Sequence, residues 1–96
     1  MKVFEPFKLG NLELKNRMVV SAMVTNYCSP DGNATEKFIA YHEHKARGGW
    51  GLIITEDYAV TPTAGGFVRL PGLWEDGQIE SHRELTERIH RAGGKI

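Results

Sequence analysis

Two amphipathic helical segments alternate with short apolar segments, and this alternation limits the possible folds more than any other feature. The helical segments end at Gly48-Gly49 and Gly93-Gly94, because glycine readily adopts the left-handed conformation that follows a helix. The apolar segments are centred on Val19 and Ile53, which are 34 residues apart. An alternating β–α–β–α order predicts a parallel sheet with right-handed crossovers. From this order alone, a closed barrel and an open α/β sheet both remain possible.

The strand candidates differ in their patterns. Residues 7–9 and 12–14 alternate apolar and polar side chains on either side of Gly10-Asn11, which predicts a hairpin. Residues 18–20 and 52–54 are apolar without alternation, which is typical of parallel strands covered on both faces. Lys95-Ile96 predicts the start of a third parallel strand.

Both helices show a buried face at helical spacing. Asn33 or Thr35 is expected to cap the first helix, and Glu36 stands three residues after Asn33, as in a capping box. The second helix is expected from about Gly77 to Ala92. The buried positions are expected to be Phe38, Ile39, His42 and Ala46 in the first helix, and Ile79, His82, Leu85, Ile89 and Ala92 in the second.

Size and composition restrict the class of protein. The chain has 96 residues, 41% of them hydrophobic, and its formal net charge is zero. No electrostatic field attracts nucleic acid or a membrane surface, so neither partner is expected. The N-terminus lacks an apolar signal segment, and the single cysteine, Cys28, fits a reducing compartment, so a cytoplasmic location is expected. Two strands and a stub do not make a stable doubly covered sheet, so we expect these residues to be part of a larger unit.

Four sequence blocks carry a family resemblance. Phe4 to Arg17 closely resembles the opening of the old yellow enzyme family, particularly its 2,4-dienoyl-CoA reductase and 2-enoate reductase branch. Asp31 to Glu36, Gly48 to Glu56, and Gly72 to Trp74 with the helix after it are similar to later blocks in the same order. The resemblance implies an α/β fold, the N-terminal part of a (β/α)8 TIM barrel: a floor hairpin, two βα units and the start of a third strand. Residues 1–96 would then be a truncated segment of a single FMN-binding domain.

The resemblance also implies a chemistry. Family members bind FMN at the carboxyl ends of the barrel strands and pass a hydride from NAD(P)H to an activated alkene. For this chain it implies an enoate or enoyl-CoA-like substrate and, in a longer parent protein, a 4Fe-4S cluster and FAD. The family's substrate-polarising, proton-donating and phosphate-binding residues would all lie beyond Ile96, so no catalytic residue is expected within these 96 residues.

The resemblance places cofactor contacts at two strand ends. Flavin contacts are expected at Ser21, Ala22, Met23 and Val24 after the first strand, with a hydrogen bond from Ser21 or Thr25, and at Asp57 after the second strand. Substrate contact is expected at Asn26. The sequence departs from the family's usual proline at Ala22, from one branch's cysteine at Val24 and tyrosine at Asn26, and from alanine or glycine at Asp57. A carboxylate at Asp57 would repel a reduced, anionic flavin.

Two other functions stay open. The chain could be a non-catalytic fragment that self-associates, as a homo-oligomer, or pairs with a complementary piece of the barrel, because unpaired strands with apolar faces attract partners. It could also belong to a protein resembling trimethylamine dehydrogenase, since the same N-terminal sequence pattern would fit both kinds of protein.

Several reactive residue types have ordinary explanations. Cys28 is expected to be an unreactive loop thiol. His42 is expected to pack between helix and strand, and His44 to be solvated, with no metal site. Glu36 is expected to be a cap. The adjacent Glu56 and Asp57 form an acidic pair that could orient a ligand, but they should point to opposite faces, which disfavours a catalytic dyad. Gly65-Gly66, within the long loop from Asp57 to about Asp76, does not match a phosphate-binding loop.

Overall fold

The structure is a computed structural model that describes residues 1–63 and 68–96, so Gly65-Gly66 lies outside the described residues. The predicted hairpin is confirmed: β1 (Phe7–Leu9) and β2 (Leu12–Leu14) pair antiparallel, with Leu9 opposite Leu12. Gly10 forms the turn between them with a positive φ of 60°, a conformation that glycine adopts without a Cβ clash. Among the described residues, no helix is long and apolar enough to cross a bilayer.

The predicted parallel pair is also confirmed. β3 (Val19–Val20) and β4 (Leu52–Ile53) pair in parallel, with Val20 opposite Ile53. The Ile53 N–H donates a hydrogen bond of 2.8 Å to the Lys95 carbonyl oxygen, so the end of the chain lies beside β4 on the side away from β3. This is the position expected for a third parallel strand, although Lys95-Ile96 has no assigned strand of its own.

Only one face of the parallel sheet is covered. Val20 and Ile53 are 5% and 1% exposed, whereas Val19 and Ile54 are 42% and 49% exposed. The expectation that both faces are covered is therefore wrong within this chain. Both helices lie against the same face, and in a closed barrel the opposite face is filled by side chains from other strands.

The first helix, α1 (Glu36–Arg47), is capped by Thr35, whose Oγ1 accepts a hydrogen bond of 3.1 Å from the Phe38 N–H. The expected capping box from Asn33 is wrong. A capping box instead joins Glu75 and Gln78 around the 3-10 turn Asp76–Gln78, which precedes α2 (Ile79–Arg91). The two helix stops are confirmed, since Gly49 and Gly93 adopt positive φ angles of 93° and 83°.

The core lies between the two helices and the covered face of the sheet. The expected positions on α1 are all buried, but on α2 Ile79 is 48% exposed and Gln78 is 1% exposed in its place. The 3-10 turn changes the helical phase at this point, and the Gln78 amide gains partners. Its Nε2 donates 2.8 Å to the Asp31 carbonyl oxygen, and its Oε1 accepts 2.9 Å from the Trp74 N–H. The central buried hydrophobic residues are Val20, Cys28, Phe38, Ile39, Ala46, Ile53, Leu85 and Ile89.

Arg88 of α2 joins the two helices at the surface. Its guanidinium is 2.7 Å from Glu36 Oε2 and 3.0 Å from Glu43 Oε2, both on α1. These hydrogen bonds lower the pKa of both carboxyl groups. Glu36 is therefore an interhelical ion-pair partner and not the cap that its position suggested.

Asn16 connects the hairpin to the turn between α1 and β4. Its Nδ2 donates 2.7 Å to the Gly49 carbonyl oxygen, and its Oδ1 accepts 3.0 Å from the Met18 N–H. Gly51 lies directly against this side chain, and a Cβ on Gly51 would fall 2.5 Å from Asn16 Oδ1 and still closer to the Asn16 carbonyl oxygen. The close approach therefore requires glycine.

We predict that Gly51→Ala lowers the free energy of unfolding by about 1–3 kcal/mol, because the added methyl group collides with backbone atoms that cannot easily move. Gly77→Ala is the matched control, since its Cβ would meet no atom within 4 Å. This change should be neutral or stabilise by up to about 1 kcal/mol. Denaturant titration of both variants measures the difference, and equal midpoints would contradict the close packing at Gly51.

Candidate functional site

The chain segments that follow β3 and β4 meet at one edge of the parallel sheet. Thr25 Oγ1 donates to Glu56 Oε1 at 2.5 Å, and the Thr25 N–H donates to Glu56 Oε2 at 3.2 Å. Ser21, Ala22, Met23 and Val24, which precede Thr25, are all exposed, and so is Asp57. The structure thus brings the expected cofactor positions to one edge, at the carboxyl ends of two parallel strands. Active sites of (β/α)8 barrels form at this end.

The segment Ser21–Val24 presents open main-chain groups. Within residues 1–63 and 68–96, no hydrogen bond uses a main-chain N–H or C=O group of these four residues. Hydrogen bonding resumes immediately on either side, where the Val20 carbonyl oxygen accepts 3.0 Å from the Ile54 N–H and Thr25 contacts Glu56. The edge therefore offers hydrogen-bond donors and acceptors to a bound molecule.

The Thr25 hydroxyl is engaged inside the protein. A carboxylate oxygen can only accept, so the hydroxyl proton points to Glu56, and the hydroxyl oxygen accepts a bond of 3.3 Å from the Tyr27 N–H. The alternative that Thr25 donates to a flavin is therefore wrong in this structure, which leaves Ser21. Glu56 is 3% exposed and Asp57 is exposed, so the expectation that these neighbours point apart is confirmed.

Asn26, the expected substrate contact, lies beside the same edge. It is exposed and has a φ of 62°, a left-handed conformation that asparagine tolerates better than most residues. Its Oδ1 accepts a hydrogen bond of 3.0 Å from the N–H of Arg69. The segment after β3 is therefore connected to the long loop between β4 and α2.

A hydrogen-bonded chain lies behind this edge. The Tyr58 hydroxyl is 3.1 Å from His82 Nδ1, and His82 Nε2 is 3.0 Å from the Gly32 carbonyl oxygen. Because a carbonyl only accepts, Nε2 carries the proton and Nδ1 accepts from the tyrosine. Burial raises the pKa of Tyr58 and lowers that of His82, so both side chains are neutral at pH 7. Sequence reasoning missed Tyr58 because its partner lies 24 residues away with no local pattern to connect them.

Cys28 is an unreactive thiol, as expected, but it belongs to the core. It is 0% exposed, and burial, reinforced by nearby Glu56, raises its pKa to about 12. The thiolate that a nucleophile or redox centre needs is therefore strongly disfavoured.

His42 also lies in the core. It is 2% exposed, contacts the rings of Phe38 and Tyr41 edge-on, and has no hydrogen-bond partner for either ring nitrogen among the described residues. Burial, with a smaller contribution from Lys45, lowers its pKa to about 4. The expected burial of His42 is confirmed, and His44 is exposed as expected. No group of three His, Cys, Asp or Glu side chains in the described ranges could hold a metal ion.

The chain begins with a hairpin and continues with two parallel βα units. Main-chain groups without hydrogen-bond partners among the described residues lie at the carboxyl ends of the strands. This order is that of the first part of a (β/α)8 barrel. Comparison with known proteins specifies the family. The sequence profile of the NADH:flavin oxidoreductase / NADH oxidase family matches residues 2–96. The chain belongs to this family, which includes the old yellow enzymes.

Individual relatives agree with this assignment. The NADH oxidase of Thermoanaerobacter brockii is 37% identical over 98% of this chain and 15% of its own length. Old yellow enzyme from Pichia sp. AKU4542 matches with a TM-score of 0.89 and 31% identity, over 97% of this chain and 24% of its own. A 2-naphthoyl-CoA reductase in complex with 2-naphthoyl-CoA gives a TM-score of 0.91 and 30% identity, over 99% of this chain and 15% of its own. The chain therefore spans less than a quarter of the length of these relatives, at their N-terminal part.

We predict that His42 makes the folded state less stable as the pH falls. The unfolded chain binds a proton near pH 6.5 and the folded chain only near pH 4. Stability from this residue is therefore complete above pH 6.5 and is lost between pH 6.5 and 4, by up to about 3 kcal/mol. His42→Leu should flatten this dependence and also remove two buried nitrogens that lack partners.

Denaturant titrations between pH 4 and 7 measure this effect. His44→Leu, on the exposed side of the same helix, is the control and should keep the parent's pH dependence. Some dependence should remain in His42→Leu because His82 also has a lowered pKa. Identical pH profiles for His42→Leu and the parent would contradict the buried, neutral state of His42.

Proposed function

We propose that this chain forms the first part of the flavin site of an FMN-dependent NAD(P)H oxidoreductase that reduces activated C=C bonds. The observation that carries the proposal is the open main chain of Ser21–Val24 at the carboxyl end of β3. Its location agrees with the place where (β/α)8 barrels build their active sites. Membership of the NADH:flavin oxidoreductase family supports the choice of flavin and nicotinamide.

The residues at this edge fit the edge of a flavin ring. An isoalloxazine has both hydrogen-bond donors and acceptors along one side, and the main-chain groups of Ser21, Ala22, Met23 and Val24 supply the complementary set. When bound, FMN would accept a hydride from the nicotinamide and deliver it to the alkene. The Ser21 hydroxyl provides one further donor. No side chain of this chain is assigned to proton transfer.

Asn26 and Asp57 are the side chains that would adjust this site. The Asn26 amide nitrogen can donate to a substrate oxygen while its Oδ1 holds the Arg69 N–H. Asp57 would place a negative charge near the flavin and disfavour the reduced, anionic form. Both are exposed at the edge and accessible to a ligand.

Within the family, we place the reaction in the 2,4-dienoyl-CoA and 2-enoate reductase branch, with an enoate or enoyl-CoA-like substrate. The similarity to a 2-naphthoyl-CoA reductase supports a CoA thioester substrate. In that branch a 4Fe-4S cluster and FAD can accompany FMN, and both belong to the proposal for the whole protein. A cytoplasmic location is part of the same proposal.

A second candidate function rests on a different observation. Between the uncovered face of the sheet and the hairpin lies an open apolar groove of about 270 Å³, lined by Phe7, Leu9, Leu14, Arg17, Val19 and Leu52. An apolar surface of this kind favours association. A non-catalytic chain that pairs with a second copy or with complementary barrel strands would bury it.

Flavin titration of the purified protein, followed by fluorescence quenching, separates the two functions. Saturable FMN binding, with size-exclusion chromatography showing the species that binds, would support the flavin site. Self-association of these 96 residues without FMN binding would favour the second candidate, and a longer protein that contains them and binds no FMN would contradict the first.

We predict that Asp57→Asn raises the midpoint potential of the bound flavin, because removing a negative charge favours the reduced, anionic form. The expected change is on the order of 20 mV for a two-electron couple, for charges a few ångströms apart in water. Glu13→Gln is the matched control, since Glu13 is an exposed carboxylate on the floor hairpin. Spectroelectrochemical titration measures both, and a lower or unchanged potential in Asp57→Asn would place that carboxylate away from the flavin.

A further inference from the structure

We infer that Glu56 is a positioning residue: through Thr25 it holds the segment Ser21–Val24 in the shape that receives the flavin. This inference rests on the proposed function and adds a residue that does not itself contact FMN. From the sequence, Glu56 was considered as part of an acidic pair that could orient a ligand and was expected to point away from Asp57, but no contact with Thr25 was expected.

The hydrogen bonds that join the two chain segments are offset by two residues. Val20 pairs with Ile53, which is 33 residues later, whereas Thr25 bonds to Glu56, 31 residues later. Four residues therefore separate Val20 from Thr25, whereas only two separate Ile53 from Glu56 in the neighbouring segment of the same chain. We call the contacts of Val20 and Thr25 the two anchors of the segment Ser21–Val24. Ser21–Val24 belong to no strand and make no main-chain hydrogen bond within the described residues, so they leave the sheet before the second anchor is reached. This is the same segment whose main-chain groups are open.

Both anchors of this segment are contacts with Ile54 and Glu56, which lie just after β4. At its start, the Val20 carbonyl oxygen accepts from the Ile54 N–H at 3.0 Å. At its end, Thr25 donates twice to the Glu56 carboxylate, from its N–H and from its hydroxyl. Because four residues separate these anchors, the conformation of the segment depends on the second anchor as much as on the first.

The Glu56 carboxylate is suited to fix a loop. It is 3% exposed, so water competes weakly for its oxygens, and each oxygen receives one hydrogen bond from the same residue. Two bonds from one threonine fix its orientation as well as its distance. Hydrogen bonds to a buried carboxylate are stronger than neutral ones. A segment held in this way meets the flavin without first losing conformational freedom, which increases affinity.

Paired substitutions at Thr25 test the inference on the purified protein. Thr25→Val keeps the shape of the side chain but removes the hydroxyl donor, and should weaken FMN binding at least about tenfold. Thr25→Ser keeps the hydroxyl and should stay within about threefold of the parent, with the same flavin absorption bands. If Thr25→Val does not fold, Glu56→Gln, which removes the charge but retains one acceptor, should weaken binding in the same direction.

A core variant separates positioning from general stability. Ile89→Val removes one methylene from a fully buried side chain on α2, which costs about 0.5–1.5 kcal/mol of stability, and should leave FMN affinity unchanged. Three results would overturn the positioning role but not the flavin site. They are unchanged FMN affinity in Thr25→Val, an equal loss of FMN affinity in Thr25→Ser and Thr25→Val, and a loss of the same size in Ile89→Val. If the protein without any substitution binds no FMN, the proposed function is overturned and this inference with it.

Discussion

Burial of one face of the β3–β4 pair against the two helices is the constraint on which the structure depends. Ile53 at the centre of this face is 1% exposed, and Phe38, Leu85 and Ile89 around it are fully buried. Strands of two residues make few backbone hydrogen bonds, so side-chain burial supplies most of their stability. The register that this packing selects also places the ends of both strands at a single edge, where the candidate site lies.

The buried polar groups are arranged to support that edge. Glu56 engages Thr25, His82 engages Tyr58 and the Gly32 carbonyl oxygen, and Gln78 engages Asp31 and Trp74. Each of these bonds joins a segment near the strand ends to another element, whereas the side facing the hairpin is mainly apolar. Two buried polar residues are exceptions: Asn16 bonds at the hairpin end of the sheet, and neither ring nitrogen of His42 has a partner in the described part of the chain. Polar networks of this kind specify a conformation more narrowly than apolar contacts do.

One face of the sheet remains a surface for other strands. Val19 and Ile54 are about half exposed, and relatives of four to seven times this length place further strands there as a barrel closes. A flavin site assembled from several strand ends would take only its first part from these residues. In the proposed site, the contribution of this chain would be the open main-chain groups of Ser21–Val24.

Much of the fold could be predicted from the sequence, because its signals are local. The helical spacing, the Gly-Gly stops and the alternating hairpin each depend on neighbouring residues, and the structure confirms all three. Capping was predicted less well: Thr35 and Asn33 are both plausible caps, and the 3-10 turn that buries Gln78 in place of Ile79 was not expected. Three features connect residues that are 24 to 33 positions apart in the sequence: the pairing of β3 with β4, the Thr25–Glu56 contact and the Tyr58–His82 pair. Only the tertiary structure decided them, because packing, and not local propensity, determines which distant segments meet.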